Sequence, residues 1–174
     1  KGEKRTYLLF SLAAACFHYS AFVLPLLTFF GSRPLTLRGR LVIGAIPLLG
    51  YLLFFGGFDP IASLPIPWIQ EKLWIYERLR DSGMAGDAIN VFNIVYVMRL
   101  LVFYLLLWKY DVIKEQAPNL SLLLKVFAIS YFCFTALGAL PVMAFRYAEL
   151  FGVVEIVMVP YLALTMKPEA FGKS

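Results

Sequence analysis

Long apolar runs separated by short polar segments dominate the chain. A helix rises 1.5 Å per residue and a bilayer core is about 30 Å thick, so runs of this length suit membrane-spanning helices. The pattern predicts an all-α, polytopic transmembrane helix bundle. The runs cover residues 7–30, 41–57, 91–108, 120–145 and 149–166.

The first run is interrupted at its middle by His18, Tyr19 and Ser20. As helices, residues 7–17 and 21–30 would each be only about 15 Å long, roughly half the hydrocarbon core. Irregular backbone at membrane depth is tolerated where it is buried in protein or lines a water-filled cavity. The interruption therefore predicts a broken, re-entrant first segment whose turn lines a cavity.

The distribution of Lys and Arg around the runs favours the same topology. Cytoplasmic loops carry the excess of these residues. With a re-entrant first segment, the N-terminus, residues 31–40, residues 109–119 and the tail carry ten of them and the opposite side carries four, whereas a straight span divides them seven to seven. We therefore place residues 58–90 and Arg146 on the outer face.

Residues 58–90 form the longest polar stretch and are expected to be an outer-face loop. Within this loop, apolar side chains from Trp68 to Leu79 recur on one helical face, opposite charged ones. This predicts an amphipathic helix over residues 68–80 that lies in the membrane interface. Asp81, Ser82 and Gly83 are expected to end it, and a lid over a cavity is one use for such a loop.

Composition agrees with a membrane protein, since 61% of the residues are hydrophobic. The net charge of +5 is explained by basic residues at membrane boundaries, so we expect no nucleic acid partner. Residues 1–174 are expected to be one transmembrane domain belonging to a longer chain. Cys16 and Cys133 lack metal-ligand spacing, and no nucleotide-binding glycine pattern occurs, so neither a metal nor a cofactor is predicted.

Three ionisable side chains within apolar runs are the first candidates for function. His18 lies at the predicted break, and a buried ionisable group in a membrane usually faces a functional cavity. Arg99 shares a polar stripe with Asn93 and Tyr96 at helical spacing. Arg99 either binds an anionic ligand or forms an ion pair with Glu155, which is a lone carboxylate in an apolar run.

Two further pairs of side chains lie near the predicted outer face. Arg146 and Glu149 are three residues apart, and Tyr76 and Arg80 are four apart, so each pair would share a helical face. The planar guanidinium group suits phosphate and carboxylate oxygens. Each pair could instead be structural or simply solvated.

Two short motifs resemble the C-terminal half of EpsG/Wzy-type polysaccharide polymerases. The first runs from Leu12 to Ala21 and contains His18, and the second runs from Arg146 to Phe151. The resemblance implies a bacterial inner-membrane glycosyltransferase that joins oligosaccharide units carried on undecaprenyl pyrophosphate, building O-antigen or exopolysaccharide on the outer face. It also implies membrane lipids and chain-length regulators or other assembly proteins as partners.

Such an enzyme needs cations for the leaving pyrophosphate and a base for the acceptor hydroxyl. Candidate bases are His18 and Glu149. Because arginine clamping can replace a divalent ion on a good leaving group, no metal is required. The residues expected to bind pyrophosphate or sugar are Arg146, Arg80, Arg99, Tyr76 and Tyr19.

Two other functions fit the same residues. A flippase or transporter would use a broken helix and arginines to hold lipid phosphates. A membrane acyltransferase would use the intramembrane His18 as its base, but its donor would approach from the cytoplasm, away from Arg146 and Arg80.

Overall fold

The computed structural model of this protein describes residues 2–17, 19–56, 65, 67–83 and 89–165, and only the backbone at 2, 3, 19, 20, 22, 23, 68, 69, 72, 76 and 80. All regular structure in these ranges is helical. The α-helices, in chain order, are α1 (Gly2–Phe17), α2 (Leu37–Phe55), α3 (Pro67–Asp81), α4 (Ile94–Trp108), α5 (Tyr110–Ile113), α6 (Leu120–Ala136), α7 (Pro141–Gly152), α8 (Glu155–Met158) and α9 (Leu162–Thr165). Two 3₁₀ helices, Tyr19–Phe29 and Val159–Tyr161, complete the order.

The first apolar run folds into a hairpin of α1 and the following 3₁₀ helix. Lys4 Nζ donates to the carbonyl oxygen of Thr28 at 3.4 Å, and the Tyr7 hydroxyl donates to that of Leu24 at 3.0 Å. In one straight helix, residues 4 and 28 would be about 36 Å apart. The predicted break is therefore present, with His18 itself outside the described residues, and the re-entrant position of the hairpin in a bilayer stays a prediction.

Helices α2 and α6 run parallel, and α4 runs antiparallel to both. The Ser121 hydroxyl donates to the carbonyl of Ser32 at one end, and the hydroxyls of Tyr51 and Tyr131 lie 2.9 Å apart toward the other. In α4, the Tyr104 hydroxyl donates to the carbonyl of Gly44 at 2.7 Å. We call the end with Lys4, residues 31–40 and residues 109–119 the basic end, and the end with residues 89–93 and 137–140 the opposite end.

The boundaries predicted for the spans at residues 120–145 and 149–166 were wrong. The run 120–145 is not one helix, because α6 ends at Ala136 and the chain turns back into α7 at Pro141. Proline suits the first turn of a helix, where its missing N–H is not needed. The run 149–166 does not start a span either: Glu149 lies inside α7, and the chain bends by 42° between α7 and the segment Glu155–Thr165.

The described helices differ in how well they fit a membrane. By length and composition, α2 with 19 residues is long and apolar enough to cross one, and α7 with the bent segment after it would be a second if counted as one span. Helices α4 and α6 are apolar but have only 15 and 17 residues. Many large apolar side chains on the bundle's outside are exposed, as a lipid-facing surface requires.

The predicted amphipathic helix is confirmed as α3. It ends at Asp81, and Gly83 follows with a φ of 71°, a left-handed conformation that glycine adopts without steric cost. The guanidinium of Arg78 lies 3.8 Å from the ring centre of Trp74, one turn away. The location of α3 in a membrane interface remains a prediction.

A charge cluster ties α5 to α2 at the basic end. Asp111 lies 2.9 Å from Lys114 Nζ and 2.8 Å from a guanidinium nitrogen of Arg40. The hydrogen bond from Lys114, together with the positive charge of Arg40, lowers the pKa of the Asp111 carboxyl. The stabilisation from this cluster is present above the ordinary pKa of aspartate and is lost as the pH falls through the lowered value.

Gly50 allows α2 and α6 to approach closely. A Cβ atom at this position would overlap the hydroxyl oxygen of Thr135 and lie 3.1 Å from the carbonyl oxygen of Phe132. Small residues at helix contacts are typical of membrane bundles. The hydrophobic effect does not drive helices together inside a membrane, so the van der Waals contact that close backbone approach permits is important for their association.

Gly50→Ala is expected to lower the free energy of unfolding by about 1–3 kcal/mol, because the methyl group overpacks this contact. Reversible unfolding in mixed detergent micelles would measure it. The matched control is Gly39→Ala in the same helix, where a Cβ would meet only ordinary contacts at 3.5 Å or more. Equal effects of the two substitutions would contradict the assignment.

Candidate functional site

Arg99 of α4 and Glu155 of α8 form a partly buried ion pair. Nε of Arg99 lies 2.6 Å from Oε2 of Glu155, and the two side chains are 16% and 25% exposed. The Arg99 Nε–H makes no well-directed hydrogen bond despite this distance, so the contact is electrostatic rather than an aligned hydrogen bond. Of the two roles expected for Arg99, pairing with Glu155 is therefore observed, and ligand binding remains a prediction.

Aromatic rings and a glycine shape the space around Arg99. Its guanidinium lies 4.9 Å from the ring centre of Tyr96 and 5.7 Å from that of Phe127, within the range of cation–π attraction. A Cβ atom on Gly152 would lie 2.5 Å from a terminal guanidinium nitrogen. Glycine at the end of α7 therefore leaves room for the guanidinium of Arg99 where it lies beside Glu155.

The predicted polar stripe on α4 is partly wrong. Tyr96 and Arg99 do face the interior together, but Asn93 precedes the helix as its cap, and its side chain accepts from the N–H of Val95 at 2.9 Å. Asparagine favours this capping position because its oxygen satisfies a free helical N–H. Asn93 therefore contributes to the start of α4.

A groove of about 640 Å³ brings Arg99, Glu149 and Glu155 together. The bend between α7 and α8 forms it, and its other lining residues are Gly152, Val153, Ile156, Val159 and Pro160. Val153 and Ile156 are 60% and 75% exposed, so the groove opens through an apolar outer surface. Its size is within the usual range for small-molecule sites.

The electrostatics of this groove favour a neutral polar ligand over a free anion. It holds one guanidinium and two carboxylates, and the charge of Arg99 is already compensated by Glu155. Glu149, by contrast, is exposed. An exposed carboxylate beside a neutralised ion pair suits hydrogen bonding to hydroxyl groups and removal of a proton from one.

Arg146 is an exposed residue on α7, three positions before Glu149. It is not among the described residues that line the groove. The two residues are thus close along one helix, as the spacing predicted, but only Glu149 reaches the groove beside Arg99.

The remaining predicted site residues fall outside what the structure describes. His18 lies in an undescribed position, and only the backbone of Tyr19, Tyr76 and Arg80 is described. Their assignments stay predictions. Among the described residues, no three His, Cys, Asp or Glu side chains group as metal ligands would.

Sequence reasoning missed the contribution of Gly152 and a second cavity. The cavity, of about 750 Å³, lies at the basic end between the first hairpin, α6 and α7. Among the described residues, Lys4 and Thr28 line it at the open end of the hairpin. No local pattern marks either feature, because each depends on segments far apart in sequence.

Comparison with models of protein families gave a match. The sequence model of the EpsG family matches residues 1–171, nearly the whole chain. Searches of curated proteins and of solved structures found no significant match.

Proposed function

The chain belongs to the EpsG family, whose members are membrane proteins of the polysaccharide-polymerase type, and we propose that it is a glycosyltransferase acting on lipid-linked glycans. The substrates would be oligosaccharide units on undecaprenyl pyrophosphate. A hydroxyl of one unit attacks the anomeric carbon that joins the other unit's sugar chain to its lipid pyrophosphate. The new glycosidic bond forms as the bond from that carbon to the pyrophosphate oxygen breaks, the lipid pyrophosphate leaves, and a base takes up the hydroxyl proton. The reaction would take place on the outer face of the bacterial inner membrane.

The groove beside Arg99 is the observation that carries this proposal beyond the family match. It combines two carboxylates with an opening through exposed apolar side chains. A substrate anchored in the membrane by its lipid could enter such an opening from the side, and a sugar hydroxyl would meet polar groups inside.

Within this proposal, Glu149 is the preferred base. Glu155 is paired with Arg99, whereas Glu149 is exposed in the groove and can accept the proton of the attacking hydroxyl. His18 is the alternative base.

The pyrophosphate would be bound outside the groove. The carboxylates of Glu149 and Glu155 repel an anion that Arg99, already paired, would have to hold alone. Arg146 and Arg80 are therefore the preferred cations, with Tyr76 and Tyr19 as candidates to contact the sugar or phosphate groups. A guanidinium offers paired donors to phosphate oxygens and stabilises the charge that develops as the pyrophosphate leaves.

We infer the orientation of the bundle in the membrane from the distribution of its basic residues. The basic end would face the cytoplasm, so the opposite end, where α7 begins before Arg146, would face outward. The amphipathic helix α3 would lie at the same outer surface, where its Tyr76 and Arg80 could close over a substrate.

Arg146→Gln is expected to slow chain extension by about 10²–10³-fold, because it removes a donor that stabilises developing charge. The full-length protein would be reconstituted with undecaprenyl-pyrophosphate-linked repeat units, and the length of the products would be followed over time. Arg38→Gln, a change of an exposed arginine at the basic end, is the control and should retain the wild-type rate. An unchanged rate in Arg146→Gln would remove Arg146 from the site.

The bend between α7 and α8 supports a flippase as a second candidate. Transporters often place their binding sites where a membrane helix is interrupted, and Arg99 lies against this bend. The same reconstituted vesicles distinguish the two functions. Movement of the lipid between leaflets without any chain extension would replace the polymerase by the flippase.

A further inference from the structure

The cavity at the basic end has an apolar interior and a cationic rim. Its walls include Leu24, Leu27, Leu123 and Phe151, and Lys4 and Arg33 line it as well. Both cations are exposed. This is the surface of an amphiphile site: an apolar space for a chain and fixed positive charge for a head group.

The cavity lining also includes polar groups. Thr28, Gly31, Ser32 and Asn119 line it near the two cations. Lys125 Nζ donates to the carbonyl of Gly31 and so holds the end of the hairpin against α6. From Asn119, the lining extends along α6 to Val126, about 10 Å at 1.5 Å per residue, which is deep enough for the upper part of an acyl chain.

We propose that this cavity binds an anionic glycerophospholipid, with its phosphate between Lys4 and Arg33 and an acyl chain along α6. Basic pockets between membrane helices on the cytoplasmic side bind anionic head groups, and the cytoplasmic leaflet is rich in them. Within the described part of the chain, Lys4 Nζ makes one hydrogen bond, a long one of 3.4 Å to the carbonyl of Thr28, so its charge can turn to a phosphate. Val153 lines both this cavity and the groove of Arg99, so the lipid would support the bend between α7 and α8.

Native mass spectrometry of the full-length protein in detergent tests this site. Phosphatidylglycerol and phosphatidylcholine with identical acyl chains are added as competing probes. We expect retention of phosphatidylglycerol to exceed that of phosphatidylcholine, and the double variant Lys4→Gln, Arg33→Gln to lose this preference by roughly tenfold or more. Arg5→Gln with Arg38→Gln removes two exposed cations from the same end that do not line the cavity, and it should keep the preference.

A second variant tests the apolar part of the cavity. Leu123→Trp would fill it and should reduce retention of both phospholipids while the cations remain. The proposal is overturned if the two double variants lose the preference equally, since the attraction would then be a general property of the basic end. Displacement of phosphatidylglycerol by an equal amount of undecaprenyl phosphate would overturn it too, and would assign the cavity to the glycan carrier. None of these readouts depends on the polymerase activity.

Discussion

Glu149→Gln is expected to slow chain extension by about 10²–10⁴-fold, the usual contribution of a general base. Glutamine keeps the size and hydrogen-bonding reach of the side chain but cannot take up the proton of the acceptor hydroxyl. The residue is exposed on α7, so the substitution should leave the fold intact. Initial rates of extension in reconstituted vesicles, at matched protein amounts, provide the measurement.

The control is Glu115→Gln, which neutralises an exposed glutamate at the basic end. It should retain the wild-type rate. If Glu149→Gln also retains it while His18→Gln abolishes extension, the base is His18 and the groove beside Arg99 serves another purpose. Binding of the acceptor should be nearly unchanged in Glu149→Gln, which separates loss of the base from loss of the site.

Arg99→Met is expected to lower the free energy of unfolding by about 3–5 kcal/mol. The cause is the carboxylate of Glu155, which would be left three-quarters buried, with 25% of its side chain exposed, and would lose the guanidinium beside it. Unfolding of the full-length protein in mixed detergent micelles would show the loss.

Arg99→Met combined with Glu155→Leu should recover most of that stability, because an apolar pair of similar volume can replace a buried ion pair at little cost. Additive losses from the two single substitutions would contradict this coupling. The double variant also resolves the role of Arg99. Normal chain extension in the folded double variant would make the pair structural, and failure of extension would assign the pair a part in the reaction.

Apolar periodicity and helix-ending residues predicted the local elements well. The helix over residues 68–80 was predicted from apolar and charged side chains on opposite helical faces, and its end was predicted from the glycine at position 83. Both signals lie within one segment of the chain. The interruption of the first run was also visible, since His18, Tyr19 and Ser20 break an otherwise apolar stretch. In each case, the deciding residues are neighbours in sequence.

Hydropathy could not locate the turn between α6 and α7. Residues 137–140 are as apolar as the helices on either side, and in a membrane bundle a turn packed against protein needs no polar signal. The clues were Gly138 and Pro141, but both residue types also occur inside membrane helices. The end of α6 was therefore placed nine residues too late.

The candidate site was only partly predictable for the same reason. A lone arginine and a lone glutamate in apolar segments each require a partner, which made the pair of Arg99 and Glu155 an open alternative from sequence. The role of Gly152 could not be inferred, because it depends on a guanidinium from another helix. Glu149 was found through its motif, whereas its access to the groove depends on the bend after α7.

The parallel contact of α2 with α6 has a consequence for biosynthesis. The hydroxyls of Tyr51 and Tyr131 that meet across it are 80 residues apart in sequence. At about 5–20 residues per second, the ribosome completes the second of these residues roughly 4–16 s after the first. During that interval α6 is incomplete, so the surface around Gly50 waits in the membrane without its native partner.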